Sequence, residues 1–335
     1  MKILKKKNWY IVSEKFTFNK QIDLKEYEKI VEQSPQGNIF CSIKFLDSIK
    51  ADYQLWNVKQ GNEIKAVMCF TVSKDKKNII LNDLVIYSGI MFNLDDSRLE
   101  TKKRSDEFKI TEFVIENIIK KYKKIEFQLS PFFTDIRPFQ WYNYNRKGKK
   151  KFHIDVKYTS HLNYLEQNLN DFTNTSLYHS METVRRYDYR NAVKSGANIK
   201  NSNNSDKFMD FYVQLMRSQK IKLSPKMISH LSISLSKLIR NQIGNLFYVY
   251  DKNNIVLYSL LYLVDKKRGY YFLGAGGSMN KTSWQSTYGH CKILNILQNK
   301  FSINSIDLEG VNSPNRGWFK LSLGGELNPY YKIKI

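Results

Sequence analysis

The sequence predicts a mixed α/β protein built from two similar units in tandem, and three observations predict it. Short β-rich runs broken by turn clusters alternate with longer segments of helical spacing, and the order of strand meander, helix, strand occurs in each half of the 335 residues. Hydrophobic residues make up 42% and aromatics 14%, with six prolines, which is enough apolar surface to fill real cores. The length suits two domains, which we place at 1–165 and 166–335, each a mostly antiparallel sheet flanked by helices.

In the first half, Leu55–Val58, Ile64–Val72 and Ile79–Ile86 read as strands, separated by the turn clusters Gln60-Gly61-Asn62 and Ser73-Lys74-Asp75. Ser105 caps a predicted helix whose apolar positions include Phe108, Val114, Ile115, Ile118, Ile119 and Tyr122, and the strand Ile125–Leu129 follows. The second half opens after RKGKKK (146–151) with the strand-like FHIDVKYTSHLNYL. A helix from Ser205 or Asp206 carries Phe208, Phe211, Tyr212 and Leu215 on one face. Another starts at Ser224-Pro225, with proline at a favoured first position. Strands at Asn245–Tyr250, Ile255–Val264 and Gly269–Leu273, a helix over Trp284–Gln298 and a strand at Ser305–Glu309 lead to the closing stretch.

Charge narrows the partners. The chain has 54 basic and 31 acidic residues, a net +23, and the excess is spread over both halves rather than held in a tail. Such a field favours RNA, nucleotide diphosphates or an anionic membrane surface. A solvated, lysine-rich surface is the bland alternative. Ile255–Val264, the longest apolar run, is about half of the roughly 20 residues a spanning helix needs, and the basic start MKILKKKNWY has no apolar run behind it, so a cytoplasmic protein is expected. Cys41, Cys69 and Cys291 are odd in number and far apart, and the five histidines are scattered, which argues against disulfides and structural metal.

Two stretches invite a functional reading from their residues alone. YYFLGAGGSMNKTSWQSTYGH (270–290) joins a strand to a helix through glycines, a place where backbone N–H groups can meet phosphate or carbonyl oxygens, although a flexible loop fits as well. LSPFFTDIRPFQWYNY (129–144) offers an Asp135–Arg137 pair and Trp141, Tyr142 and Tyr144, either to stack on a sugar or base or to plug the gap between domains.

Three motifs together resemble the FemAB-like branch of the GNAT acyltransferase superfamily, in which two GNAT-type domains stand in tandem. They are RRYDYRNAVKSGANI (185–199), YYFLGAG (270–276) and IDLEGVNSP…GWFKLSLGGEL…YY at the end. The resemblance covers about 35–335. It implies an acyltransferase or aminoacyltransferase that moves a group from an activated ester onto an amino group of a cell-envelope glycan or nucleotide-sugar precursor, with aminoacyl-tRNA or acyl-CoA as co-substrate and no bound cofactor or metal. The alternatives are an acyl-CoA N-acyltransferase of a nucleotide-linked amino sugar and a non-catalytic RNA-binding or envelope-assembly protein. The GNAT pyrophosphate signature Gln/Arg-x-x-Gly-x-Gly/Ala is missing, which favours the tRNA donor over acyl-CoA; no extended helical-hairpin arm interrupts the second domain, a departure from the cell-wall members that counts against a peptidoglycan-bridge assignment.

By the same resemblance, Lys320 lies at the transfer centre, where a cation stabilises the oxyanion formed as an amine attacks a carbonyl. Phe319 packs beside it, and Gly324-Gly325 turns the chain into the last strand. Asp307 and Glu309 are the candidate proton acceptors. Lys44 and Tyr271 match places that hold a nucleotide-linked or lipid-linked sugar acceptor, a lysine being a mobile point charge for diphosphate. Arg185, Arg186 and Arg190, with Trp141 and Tyr288, complete the substrate-binding candidates, the arginines serving either an anionic substrate or a solvated helix face. A tRNA partner and a peripheral contact with the anionic inner face of the membrane follow from the charge.

Overall fold

A computed structural model describes residues 16–95, 97–164, 168–277 and 282–335. The basic start and the middle of the Gly-rich connection, 278–281, lie outside the described residues. In chain order the first half holds β1 (Phe16–Asn19), α1 (Leu24–Gln33), a 3₁₀ turn (Ile39–Cys41), α2 (Ile43–Ser48), β2 (Tyr53–Gln60), β3 (Glu63–Thr71), β4 (Asn78–Ile79), β5 (Gly89–Phe92), α3 (Glu100–Lys121), β6 (Lys124–Gln128), α4 (Arg137–Trp141) and β7 (His153–Asn163). A second 3₁₀ segment (Leu169–Asn174) leads to α5 (Ser176–Ser180), α6 (Thr183–Lys194), β8 (Asn198–Ser202), α7 (Asp206–Ser218) and α8 (Pro225–Arg240). Then come β9 (Gly244–Tyr250), β10 (Val256–Val264), β11 (Gly269–Gly276), α9 (Gln285–Phe301), β12 (Ser305–Gly310), α10 (Pro314–Leu321) and β13 (Glu326–Lys334). The mixed α/β class predicted from the sequence is the one observed.

Local chemistry accounts for several boundaries. Asp23 caps α1 by accepting from the amides of Lys25 (2.8 Å) and Glu26 (3.0 Å), and Tyr27, Ile30 and Val31 then fall on one buried face. Ser224 accepts from Met227 N at 3.2 Å with Pro225 behind it, as the sequence predicts for α8. Ser302, in the left-handed region at φ 56°, ends α9.

Two expectations are corrected. Ile79–Ile86 is not one strand: only Asn78–Ile79 pairs, because the Asn82 side chain accepts from Leu84 N (2.9 Å) and bends the chain into a turn. The short strand β5, beyond it, was not anticipated. The helix α3 begins at Glu100 rather than at Ser105, its first turn pinned by an Arg98–Asp106 ion pair of 2.5 Å.

Strands β1-β2-β3-β5 form one antiparallel sheet, and a nine-stranded sheet runs β4-β6-β13-β7-β12-β11-β10-β9-β8. All neighbours in the larger sheet are antiparallel except β4/β6 and β11/β12. The last strand, β13, lies between β6 and β7, pairing Ile333 with Phe127 on one side and Tyr330 with Lys157 on the other. Strands from before position 165 and strands from after it therefore share one sheet.

Three apolar cores result. One joins Tyr27, Phe40 and Phe45 of the first half to Phe208, Leu235, Tyr270 and Phe272 of the second. The second packs α9 on the opposite face of the sheet through Leu294 and Leu297 against Tyr262 and Leu308. The third seats α3 on β2, β3 and β6 through Val114, Ile118, Phe70 and Phe127. The aromatic run 129–144 sends Phe133 and Phe139 into this third core, whereas Phe132 lies against His161 (ring centroids 5.6 Å) and under Arg268 (4.0 Å).

Candidate active site

The site forms where two neighbouring strands part. The parallel strands β11 and β12 pair only at Gly269–Ile306 and Tyr270–Asp307. Beyond that point β11 stays with β10 as far as Gly276, while β12 stays with β7 through a bulge between Asp307 and Gly310. Glu309 sits in the bulge in the left-handed region (φ 58°), its amide held by Asp307 Oδ1 at 2.7 Å.

The helix α10 closes the mouth of this gap. Lys320 Nζ donates to the carbonyl of Gly310 (3.2 Å) and stands 5.3 Å from the centroid of the Tyr271 ring. Gly324 turns the chain out of this helix at φ 86°, with its α-carbon so close to α5 that a Cβ would stand 2.3 Å from Ser180 Oγ.

The two candidate proton acceptors differ in environment. Asp307, 0% exposed, receives Tyr87 OH (2.8 Å) and the amide of Glu309, is bonded by the Thr159 hydroxyl, and lies 3.3 Å from His161 Nε2. Burial alone would raise its pKa, but the nearby His161 imidazole and the hydrogen bonds from Thr159 and the Glu309 amide hold it below the usual carboxylate value. Both oxygens are engaged. Glu309 is also buried, yet its Oε1 has no hydrogen-bond partner among the described residues. Burial pushes its pKa well above the usual value, the Lys320 charge opposing and Asp307 adding to the rise. Lys320 moves the other way: burial lowers it while Glu309 and Asp307 pull it up.

A residue that sequence reasoning passed over completes the cluster. His290 of α9 is 0% exposed, bonds through Nδ1 to the Tyr262 hydroxyl and leaves Nε2 without a partner among the described residues. Its ring meets Tyr271 edge-on at 4.5 Å and Phe319 at 5.7 Å. Burial, with help from the Lys320 charge, depresses it to about 3, so the imidazole is neutral at physiological pH. The available signal was its position on the apolar face of the predicted helix, beside Thr287, Cys291 and Leu294.

The remaining candidates separate into near and far. Arg185 donates to Asp188 (2.8 Å) and Thr287 (3.1 Å) and lies 5.1 Å above the Phe319 ring, so it joins the cluster. Arg186 bonds to Thr183 (3.1 Å) along α6, and Arg190 is exposed. Tyr288 is buried with its hydroxyl on Ala197 O (2.8 Å), a packing position. Trp141 is 52% exposed and stands edge-on to Phe108 (5.4 Å) on α3. Lys44, exposed on α2, lines a separate cavity of about 790 Å³ beside the β10–β11 turn, with Lys25, Ile243, Lys266 and Phe301. Asp135 and Arg137 pair at 2.6 Å, as their spacing suggests.

The strand order, the parted parallel strands and the short helix that closes them define the class: this is the tandem GNAT fold. The chain is similar to FemX, at 12% identity and a TM-score of 0.63, with 95% of this chain and 96% of that one covered. It is also similar to the C-terminal domain of a putative lysylphosphatidylglycerol synthetase from Agrobacterium fabrum (11% identity, TM-score 0.54, 93% and 91% covered). A third likeness is to a tandem GNAT protein from the clavulanic acid biosynthesis pathway (8% identity, TM-score 0.52, 96% and 98% covered). No family model and no curated protein sequence matches the chain. The resemblance to the FemAB-like branch read from the closing motif therefore holds at the level of the fold.

Proposed function

We propose that the protein is an acyltransferase that moves an aminoacyl or acyl group from an activated ester or thioester onto an amine. The observation that carries this reading is the placement, at the parted ends of β11 and β12, of two buried groups that each shift the other's ionisation: Lys320, whose Nζ donates to the Gly310 carbonyl, and Glu309, whose Oε1 has no hydrogen-bond partner among the described residues.

In this scheme the amine attacks the carbonyl carbon of the donor directly. Lys320 Nζ stabilises the oxyanion, a role for which one preorganised donor lowers the barrier by about 3 to 4 kcal/mol. Glu309 accepts the proton shed by the amine. The new C–N bond forms, the C–O bond of an ester or the C–S bond of a thioester breaks, and the leaving oxygen or sulfur takes up a proton. Asp307 holds Glu309 in place through its amide and takes no part in proton transfer, because both its oxygens are already bonded. Phe319 limits water at the centre, and Arg185 borders it.

The net +23 favours a polyanionic donor, so aminoacyl-tRNA is the donor we put first, with acyl-CoA second. The acceptor we put first is an amino group of an envelope glycan or nucleotide-sugar precursor, reached from the cytoplasm or from the inner membrane surface. We assign the transfer centre to the second half of the chain, 166–335, with the first half as its partner domain. Thermal unfolding of the protein with acetyl-CoA, longer acyl-CoAs, charged tRNA and uncharged tRNA, at two salt concentrations, tests the donor assignment. A stabilisation by charged tRNA that exceeds that by uncharged tRNA is expected. A salt-resistant stabilisation by acyl-CoA alone would transfer the assignment to the second donor.

A further inference from the structure

The polar atoms of the buried cluster are not all accounted for by Lys320 and Glu309. We infer that His290 is a second catalytic hydrogen-bond donor, its Nε2–H meeting the carbonyl oxygen of the donor together with Lys320. The inference rests on the acyl-transfer reading above and extends it to a residue of another element.

The tautomer follows from a count of partners. The Tyr262 hydroxyl is buried and its described partner is His290 Nδ1. If the hydroxyl donates to Nδ1, the ring proton is on Nε2 and one buried donor is left unpaired. If Nδ1 donated instead, both the hydroxyl hydrogen and the Nε2 lone pair would be left unpaired. Each buried unpaired polar group is costly, so the first arrangement is preferred. His290 thus presents an N–H that nothing among the described residues receives.

Its surroundings say what that donor faces. The imidazole and the Lys320 ammonium both lie against the Tyr271 ring, at 4.5 Å between ring centroids and 5.3 Å from cation to centroid. Phe319, half-buried, lies 5.7 Å from the histidine ring, between it and Arg185 above. The helix that carries His290 is held hard against the sheet at the preceding position, where a Cβ on Gly289 would stand 2.6 Å from Leu260 Cδ1. A neutral imidazole donor fixed in this way costs no reorganisation as charge develops, which is the requirement for an oxyanion partner. Burial and the nearby ammonium keep it neutral, so it donates without adding a second charge beside Lys320.

The test combines spectroscopy with kinetics. In protein carrying ¹⁵N-histidine, long-range ¹H–¹⁵N spectra should find His290 neutral with the proton on Nε2 from pH 8 to pH 5, and the Nε2 resonance should move when acetyl-CoA or charged tRNA is added. In donor-consumption assays with a nucleotide-linked amino sugar, His290→Phe should lower kcat about 10²-fold with KM little changed, and His290→Gln, which keeps an N–H near the Nε2 position, should recover part of the loss. A proton on Nδ1 would overturn the inference. So would a folded His290→Phe protein with wild-type kcat while Lys320→Ala is impaired, an outcome that leaves the acyl-transfer reading standing. If the wild type consumes neither donor, both readings fall. If His290→Phe does not fold, the tautomer and the donor-induced shift in the wild type decide the question.

Discussion

At the scale of single residues, the opposite shifts of Glu309 and Lys320 have a definite consequence for pH dependence. In the proposed scheme, transfer needs Glu309 deprotonated and Lys320 protonated. The raised carboxyl moves the acid limb of the rate profile above 4.5, and the lowered ammonium moves the alkaline limb below 10.5. A bell narrowed from both sides is expected in kcat against pH, and Glu309→Gln should remove the acid limb with most of the activity. Glu309 also bears on stability. Its folded pKa lies above its unfolded value, so the folded state retains a proton that the unfolded state releases, and stability falls as pH rises from 4.5 through the folded value. Glu309→Gln should therefore raise Tm at pH 8 while lowering activity. Asp307→Asn should do the reverse on stability. It puts an amide donor against Tyr87 and His161, and a loss of about 2 to 4 kcal/mol in denaturant unfolding is expected.

At the scale of elements, the turn after α10 sets where Lys320 stands. Gly324→Ala puts a Cβ at φ 86° and 2.3 Å from Ser180 Oγ, and a destabilisation of about 1 to 3 kcal/mol is expected from thermal unfolding. This part of the molecule was legible in the sequence. The strand Ser305–Glu309, the Phe-Lys helix and the Gly-Gly turn form a contiguous motif, so local pattern and resemblance point to the same residues. Helices α7 and α8 were legible for the same local reason, through helical spacing and the Ser224-Pro225 start. The helix α1 was passed over, although Asp23 and its i, i+3, i+4 apolar face carry the usual signals. The strand β5 was not legible, because four apolar residues, Gly89–Phe92, carry no period that separates a strand from a buried loop. His290 was passed over because a lone histidine on an apolar helix face is ordinary core by composition. Its unpaired Nε2 beside Tyr271 and Phe319, a property of the packed molecule, is what draws attention to it.

At the scale of the whole molecule, β13 ties the ends of the fold together. It fills the place between β6 and β7, and Tyr330 packs edge-on to Tyr87 at 5.3 Å, the tyrosine that also bonds Asp307. Sequence alone gives no register for so distant a pairing, since strands 160 residues and more apart can meet in many orders. Truncation before Glu326 should abolish cooperative unfolding of the entire chain rather than of one half. Among the described residues no helix is long and apolar enough to cross a membrane. The +23 charge should make binding of any polyanionic partner steeply dependent on salt, with log K falling linearly against log salt for tRNA.

If Lys320 at the parted strands drives acyl transfer, single-turnover transfer of a labelled acyl or aminoacyl group to an amine should separate the wild type from Lys320→Ala. Transfer by the wild type is expected, with a loss of about 10² to 10³-fold in rate in the variant and thermal stability little changed. Equal rates in the two proteins, or no transfer by the wild type from either class of donor, would contradict that role for Lys320.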